Sequence, residues 1–378
     1  MDQRIVVLGA GIVGSAIAAD LARSGYNVTA ADLDHGALEK LKQAYDTDTQ
    51  CVDFTNPGVL KNLLRNADLV IGAAPGALGF ALMKEVIRNG KNMVDISFCP
   101  EDFLELDQLA KDHGVTVVAD MGVAPGMCNA ILGFHDQQMT VNRYKCIVGG
   151  LPEKRMWPLE YKSSWSPIDC IEEYTRPARM VRGGKIVTRP ALSDAELVEF
   201  EEVGTLEEWN SDGLRSLLTT MPHIPDMVEK TLRYPGTINY IRALRELGYF
   251  SYQEIEVNGK MIRPIDLTAK LLFPLWKLEE GESEFTIMRV TVEGELEGRK
   301  STVQYDLFDR YDPQTDTLSM SRTTGYACTG VAQMLLKGMI TAKGVLAPEM
   351  VGQNQENFTY LLHHLQERDV IYRVRELN

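Results

Sequence analysis

The chain of 378 residues has no cysteines at CxxC spacing: Cys51, Cys99, Cys128, Cys146, Cys170 and Cys328 are scattered. That excludes a zinc ribbon and argues against a disulfide frame, so free thiols in a reducing cytoplasm are expected. His35, His113, His135, His223, His363 and His364 show no metal-ligand spacing, and no metal is expected. His363 and His364 fall in a helix-like tail and are expected to face solvent. There is no lysine or arginine block, and the formal net charge is −14. Nucleic acid and anionic membranes are therefore not expected partners. No apolar run approaches the ~20 residues of a membrane span. The start, "MDQRIVVLGAGIVG", enters a strand-like run at once, without a secretion-signal pattern. Internal repeats are also missing. What is present is ordinary globular composition, 44% hydrophobic and 24% charged, in a chain long enough for two cores.

The first third alternates apolar runs with amphipathic stretches. The runs are "RIVVLG", "NVTAAD", "TQCVDF", "ADLVIGA", "NMVDIS" and "VTVVAD", the last ending at Asp120. Such alternation predicts an α/β fold, a doubly wound parallel sheet of Rossmann type with helices on both faces. After Asp120 the rhythm changes. "APGMCNAILGFH" reads as a short helix and "RYKCIVGGLP" as a strand ending in a glycine turn. "FTIMRVTVEGELEGRKSTVQYDLFDRY" reads as a hairpin around Gly298. The expected division is a nucleotide-binding domain over 1–125, an α+β substrate and dimerisation domain with a mixed or antiparallel sheet over 126–345, and a tail over 346–378 that returns to the first domain.

Gly9, Gly11 and Gly14 form GxGxxG between a strand and a helix. The first glycine permits the turn, the second admits a pyrophosphate, and the third lets helix and strand pack. Ile12 and Val13 sit between them, where the helix N-terminus attracts phosphate. Asp32 ends the second strand, 18 residues beyond Gly14, where a carboxylate accepts a ribose 2′-hydroxyl. A 2′-phosphate there meets like charge, so NAD rather than NADP is expected. Ala73, Ala74 and Pro75 follow the fourth strand and can lie along the cofactor, or form a plain turn. Asp53 can meet the adenine or be a solvated loop carboxylate. Ser97 stands where such folds place the nicotinamide, or caps a helix.

Several further motifs stand in order along the chain: "GVAPGMCN" (Gly122–Asn129), "GGLP" (Gly149–Pro152), "PLEYKSSWSP" (Pro158–Pro167), "EEYTRPAR" (Glu172–Arg179), "TLRYPG" (Thr231–Gly236) and "RTTGYACTGVA" (Arg322–Ala332). Together with the N-terminal glycines they resemble the saccharopine reductase superfamily over nearly the whole length. Within it the likeness leans towards lysine 6-dehydrogenases, because Ala124 and Cys128-Asn129 stand where the reductases carry acidic G-x-D-P-G and Asp-His positions. The resemblance implies NAD-dependent oxidation of the ε-amine of L-lysine to allysine, with release of ammonia. Its alternatives are a saccharopine or carboxynorspermidine-type C–N oxidoreductase, or a non-catalytic NAD-binding sensor. A homodimer is expected.

That chemistry needs a proton acceptor, dry aromatic walls, a cation for the α-carboxylate and a carboxylate or carbonyls for the α-ammonium. Asp120, at the carboxyl edge of the last parallel strand, is the candidate acid–base or amine-holding group; its alternative is capping the following helix. Lys162 and Tyr161 are further catalytic candidates. Gly122, Trp165, Glu173, Arg176, Arg233 and Tyr234 are the candidate substrate residues, with Arg233 placed first for the α-carboxylate. Pro158–Arg179 is thus read as a wall of the substrate domain, although Trp165 can equally be a core or dimer contact.

Overall fold

The computed structural model describes residues 3–45, 47–279 and 281–377. The apolar runs of the first third become β1 (Arg4–Leu8), β2 (Asn27–Asp32), β3 (Asp48–Cys51), β4 (Leu69–Gly72), β5 (Asn92–Asp95) and β6 (Thr116–Val118). They lie in one parallel sheet, ordered β6-β5-β4-β1-β2-β3, with Gly344–Leu346 added beside β6. Side chains alternate between two cores. Ile5 and Val7 enter one, while Val6 and Leu8 enter the other. A strand buried on both faces has no polar side, which is why these runs read as continuous rather than alternating. Strand order reverses between β1 and β4, and a crevice opens outside the carboxyl ends at such a switch point.

The second sheet is mixed. Its path runs Glu196–Phe200, Gly204–Asn210, Asp226–Arg233, Thr140–Pro152, Glu284–Leu296, Arg299–Arg310 and Tyr372–Leu377. Asp226–Arg233 is parallel to Thr140–Pro152, and the other neighbours on the path are antiparallel. The alternating runs around Gly298 form the hairpin that their pattern predicts, with Gly298 at φ +76°. "GGLP" differs from expectation, because the strand Thr140–Pro152 continues through it. Its glycines serve close approach instead of a turn. A Cβ on Gly149 would lie 2.7 Å from the Leu232 carbonyl oxygen, and one on Gly150 would lie 2.6 Å from Met320 Cε.

The chain re-enters the first domain before residue 346. Helix Ser319–Leu336 packs on helix Ile12–Arg23, where Thr329 Oγ1 donates to Asp20 Oδ2 at 2.6 Å. The buried Glu284 carboxylate accepts the Ser319 and Met320 amides at that helix's N-terminus. Strand Gly344–Leu346 then joins the first sheet, and the last strand, Tyr372–Leu377, joins the second. The tail therefore serves both sheets. Contrary to expectation, His364 is buried. Its Nε2 lies 3.0 Å from Thr329 Oγ1, and Arg368 beside it donates to Asp20 Oδ1 at 2.7 Å. His363, one position earlier on the helix, remains exposed. Among the described residues no helix is long and apolar enough to cross a membrane.

Helices Met127–Asp136 and Pro348–Gly352 meet backbone to backbone through Gly133 and Gly352. A Cβ on Gly133 would lie 2.1 Å from the Glu349 carbonyl oxygen, and one on Gly352 would lie 2.0 Å from that of Ala130. Gly133→Ala is therefore expected to lower stability by about 1–3 kcal/mol, the usual cost of overpacking. Thermal unfolding reads the effect, and an unchanged midpoint refutes the rigid contact.

Candidate functional site

A cleft of about 600 Å³ lies along the carboxyl ends of the parallel strands and reaches the face of the second sheet. Its first half is built by loops. Gly9 sits at φ +114°, and a Cβ there would lie 2.4 Å from the Ala73 carbonyl oxygen. A Cβ on Gly14 would lie 2.1 Å from that of Gly9, so the fingerprint's outer glycines are required by packing. Gly11 differs. A Cβ there would meet nothing within 4 Å, because the position opens into the cleft. Helix Ile12–Arg23 starts beside it with no side-chain cap and no acidic residue in its first turn. Its amides are available to an anion, and Gly11 leaves room for one to approach. Asp32 Oδ2 accepts the Ala10 amide at 2.6 Å and Oδ1 accepts that of Asp34 at 2.9 Å. These bonds fix the carboxylate at the cleft edge. Ile12, Val13, Asp53, Ala73, Ala74, Pro75 and Ser97 also line the cleft. The residues present fit a dinucleotide.

The second half joins both domains. Asp120 lies in the left-handed region at φ +54°, uncommon for a residue with a Cβ. It is buried, and Arg215 Nε and Nη2 donate to its two oxygens at 2.5 and 3.1 Å. Burial pushes the Asp120 carboxyl up, while Arg215 pulls against that shift. The helix that Asp120 might have capped is instead served by Asn129, whose side chain accepts the Gly126 amide at 3.2 Å. Below the site, Asp95 is fully buried. It accepts from the amide and hydroxyl of Ser97, and burial pushes it up to about 7.

Arg233 lines the cleft from the second sheet. Its guanidinium lies 4.3 Å from the Tyr161 ring centroid and donates to Tyr174, the Leu232 carbonyl and Glu173. Tyr161 lines the cleft as well, and burial raises its phenol well above the ordinary range, so it stays neutral and can donate. Trp165 packs edge-on against Phe98 at 6.4 Å, and both line the cleft. Gly122 and Glu173 complete this wall. Asp169 reaches back across the domain boundary, accepting the Gly76 amide at 3.4 Å.

Three predicted residues stand elsewhere. Lys162, between two cleft-lining aromatics, points away from the cleft and pairs with Glu282 at 2.5 Å. It ties down the loop rather than serving as a base. Tyr234 donates to the Pro152 carbonyl at 2.8 Å and packs beside Arg155, outside the cleft lining. Arg176 lies over the Phe98 ring and borders a recess next to the cleft. Arg215, Asp95 and Glu229 were not foreseen. For Asp95 the signal was an acidic residue inside an apolar strand pattern; Glu229, among the charged neighbours of "DMVEKTLR", offers none. Arg215, in "SDGLRSLL", offers no such signal.

Two stability tests follow. Arg215→Met strands the Asp120 carboxylate in the interior, which typically costs about 3–5 kcal/mol, whereas Asp120→Leu with Arg215→Met should recover much of that loss. Equal melting points for the single and double variants overturn the pairing argument. The second test is pH. Burial raises Asp95 from 3.8 to about 7 and Glu284 from 4.5 to about 8. The folded chain thus holds protons that the unfolded chain has lost, and stability falls as pH rises through that window. His135 and His364, lowered by burial from 6.5 to about 4 and about 3, act oppositely but only below pH 6.5. Melting temperature should therefore decline between pH 6.5 and 8, and Asp95→Asn should flatten the decline.

Comparison with known proteins agrees with this architecture. The Saccharopine dehydrogenase NADP binding domain matches residues 5–118, and the Saccharopine dehydrogenase C-terminal domain matches residues 117–371. The chain is 23% identical to saccharopine dehydrogenase [NADP(+), L-glutamate-forming] of Schizosaccharomyces pombe, over 79% of this chain and 82% of that protein. It is 28% identical to the Pyricularia oryzae protein of the same name, over 67% of this chain and 59% of that one. Against the mitochondrial alpha-aminoadipic semialdehyde synthase of Rattus norvegicus the identity is 30%, over 49% of this chain and 21% of that one. It thus spans about a fifth of the rat protein and under two thirds of the Pyricularia one. Among solved structures, the apo saccharopine dehydrogenase (L-Glu forming) of Saccharomyces cerevisiae superposes with TM-score 0.80 at 20% identity, over 100% of both chains. The Legionella pneumophila homospermidine synthase in complex with NAD gives 0.71 at 14%, over 100% of this chain and 92% of that one. With both domain signatures in order along one continuous cleft, the chain belongs to the saccharopine dehydrogenase family.

Proposed function

We propose that the protein is an NAD-dependent oxidoreductase that deaminates the ε-carbon of L-lysine, giving allysine, which cyclises to piperideine-6-carboxylate, and ammonia. The observation that carries this reading is the charge of the cleft. Among the described lining residues Arg233 is the one cation, against Asp120, Asp169 and Glu173 in the substrate half. A tricarboxylate such as saccharopine calls for several cations, whereas a diamine with a single carboxylate suits an acidic cleft.

NAD, held by Gly9, Gly11, Gly14 and Asp32 with Ala73–Pro75 and Ser97 along its length, supplies the hydride acceptor when bound. The chain must first deliver a neutral amine. Lysine's ε-ammonium has a pKa near ~10.4, so removing its proton at pH 7 costs roughly 4–5 kcal/mol. Asp120 is the acceptor, and the burial that raises its carboxyl narrows that gap. Tyr161, Trp165 and Phe98 keep bulk water from the imine until one water is admitted. That water adds to the imine carbon, and the C–N bond breaks with departure of ammonia. Asp32 sets the preference for NAD, because a 2′-phosphate would approach its carboxylate and the Asp34 and Asp53 side chains beyond it.

A second reading has support of its own. The fungal relatives are named as NADP-dependent saccharopine dehydrogenases and one solved neighbour as a homospermidine synthase. The chain would then oxidise or form a larger secondary amine. Purified protein with L-lysine should reduce NAD, with activity climbing towards alkaline pH. NAD should be favoured over NADP by at least ~10-fold in kcat/KM, equivalent to about 1.4 kcal/mol, and Asp32→Asn should narrow that ratio. Turnover of saccharopine but not of lysine would overturn the substrate. NAD binding without turnover of any amine would indicate a sensor.

A further inference from the structure

Beside the cleft lies a recess of about 20 Å³, large enough for one water-sized group. Phe98, Ala124, Pro125 and Glu173 border both spaces, so the recess opens from the substrate half of the cleft. Two ionisable groups on its wall carry buried, unpartnered atoms. Glu229 is 5% exposed, and among the described residues no donor reaches its Oε2 and no acceptor reaches the buried Arg176 Nη1. The neighbouring charges are already matched. Asp212 takes three hydrogen bonds from Arg179, and Glu173 takes one from Arg233. Arg176 is stacked 4.8 Å from the Phe98 centroid, and its Nη2 makes only a long 3.8 Å contact with Glu172. Arg233, by contrast, has its Nε, Nη1 and Nη2 all engaged by protein.

Burial pushes the Glu229 carboxyl well above the usual carboxylate range, so a cation in the recess would let it ionise, while the partly free Arg176 guanidinium on the same wall calls for an anion. An α-amino acid head group has the complementary charges, and its ammonium is the size of a water molecule. We propose that the recess is a head-group subsite, in which Glu229 holds the substrate's α-ammonium and Arg176, where recess and cleft meet, holds its α-carboxylate. This rests on reading the cleft as an amino-acid amine dehydrogenase, and deepens it. Arg233 then shapes the wall and orients Glu173, and Arg176 replaces it as the carboxylate anchor. The side chain runs from the recess towards Asp120, and the subsite accepts any α-amino acid whose far amine reaches that group.

Initial rates of the NAD-loaded protein with three substrates test this. L-lysine has both head-group charges, 6-aminohexanoate lacks the α-ammonium, and 1,5-diaminopentane lacks the carboxylate. Arg176→Gln is expected to lower kcat/KM for L-lysine and 6-aminohexanoate by about 10–100-fold, with the loss absent for 1,5-diaminopentane. Glu229→Gln is expected to do the same for L-lysine and 1,5-diaminopentane, sparing 6-aminohexanoate. NAD affinity, followed by fluorescence, reports that each variant is folded. Equal losses across all three substrates, or none, overturn the subsite while leaving the lysine reading intact. If wild type oxidises saccharopine instead of lysine, that reading fails alone, and the subsite then requires both variants to raise the KM for saccharopine. Absence of amino-acid binding by calorimetry and of turnover in wild type removes both.

Discussion

The pair of Asp120 and Arg215 joins the end of the parallel sheet to the second domain, with both partners in the interior. Neither charge tolerates burial alone, so docking of the domains and assembly of the site are one event. The contacts around the pair depend on it. Arg215 also lies 4.7 Å from the Phe98 centroid, Arg176 lies over the same ring, and Trp165 meets its edge. Asp169 adds a bond to the Gly76 amide. Together they fix the spacing between the nucleotide half of the cleft and the wall from Pro158 to Arg179.

The cleft is correspondingly graded in charge and wetness. At one end a helix N-terminus without a capping side chain faces a glycine that opens into space. In the middle Ser97 stands over a buried aspartate that burial biases towards the protonated form. At the far end carboxylates exceed cations, and the neutral Tyr161 hydroxyl stands among them. An anion is welcome at the first end and a cation at the last. This polarity suits a bridging role between a phosphate-bearing nucleotide and an amine.

Much of this was readable in the sequence. The inner strands of the first sheet and the glycine fingerprint announce themselves, because strands buried on both faces and turns needing close approach leave little freedom in composition. The hairpin around Gly298 was equally plain. "GGLP" misled because glycine signals a turn and a close approach alike, and only the positions of Leu232 and Met320 decide between them. His364 was misread because a polar residue on a terminal helix normally faces water; here Thr329 and Asp20 give it partners inside. Pro158–Arg179 does contribute a wall of the cleft, but the sequence did not sort its members. Tyr161 and Trp165 face the cleft while Lys162 between them turns to Glu282, an alternation that an irregular loop does not reveal. Arg215 comes to Asp120 from a distant part of the chain, and no local pattern forecasts such a pairing.

The edge of the first sheet is completed late. Thr116–Val118 takes its outer partner from Gly344–Leu346, a segment supplied only after all but the last strand of the second sheet. Until then β6 presents open amides and carbonyls, the kind of edge that recruits other strands. A ribosome-bound chain must therefore carry an unfinished sheet through most of its synthesis, and closure links slow, non-local pairing to the final helices. Shielding of that nascent edge is therefore a demand on folding that the finished core does not reveal.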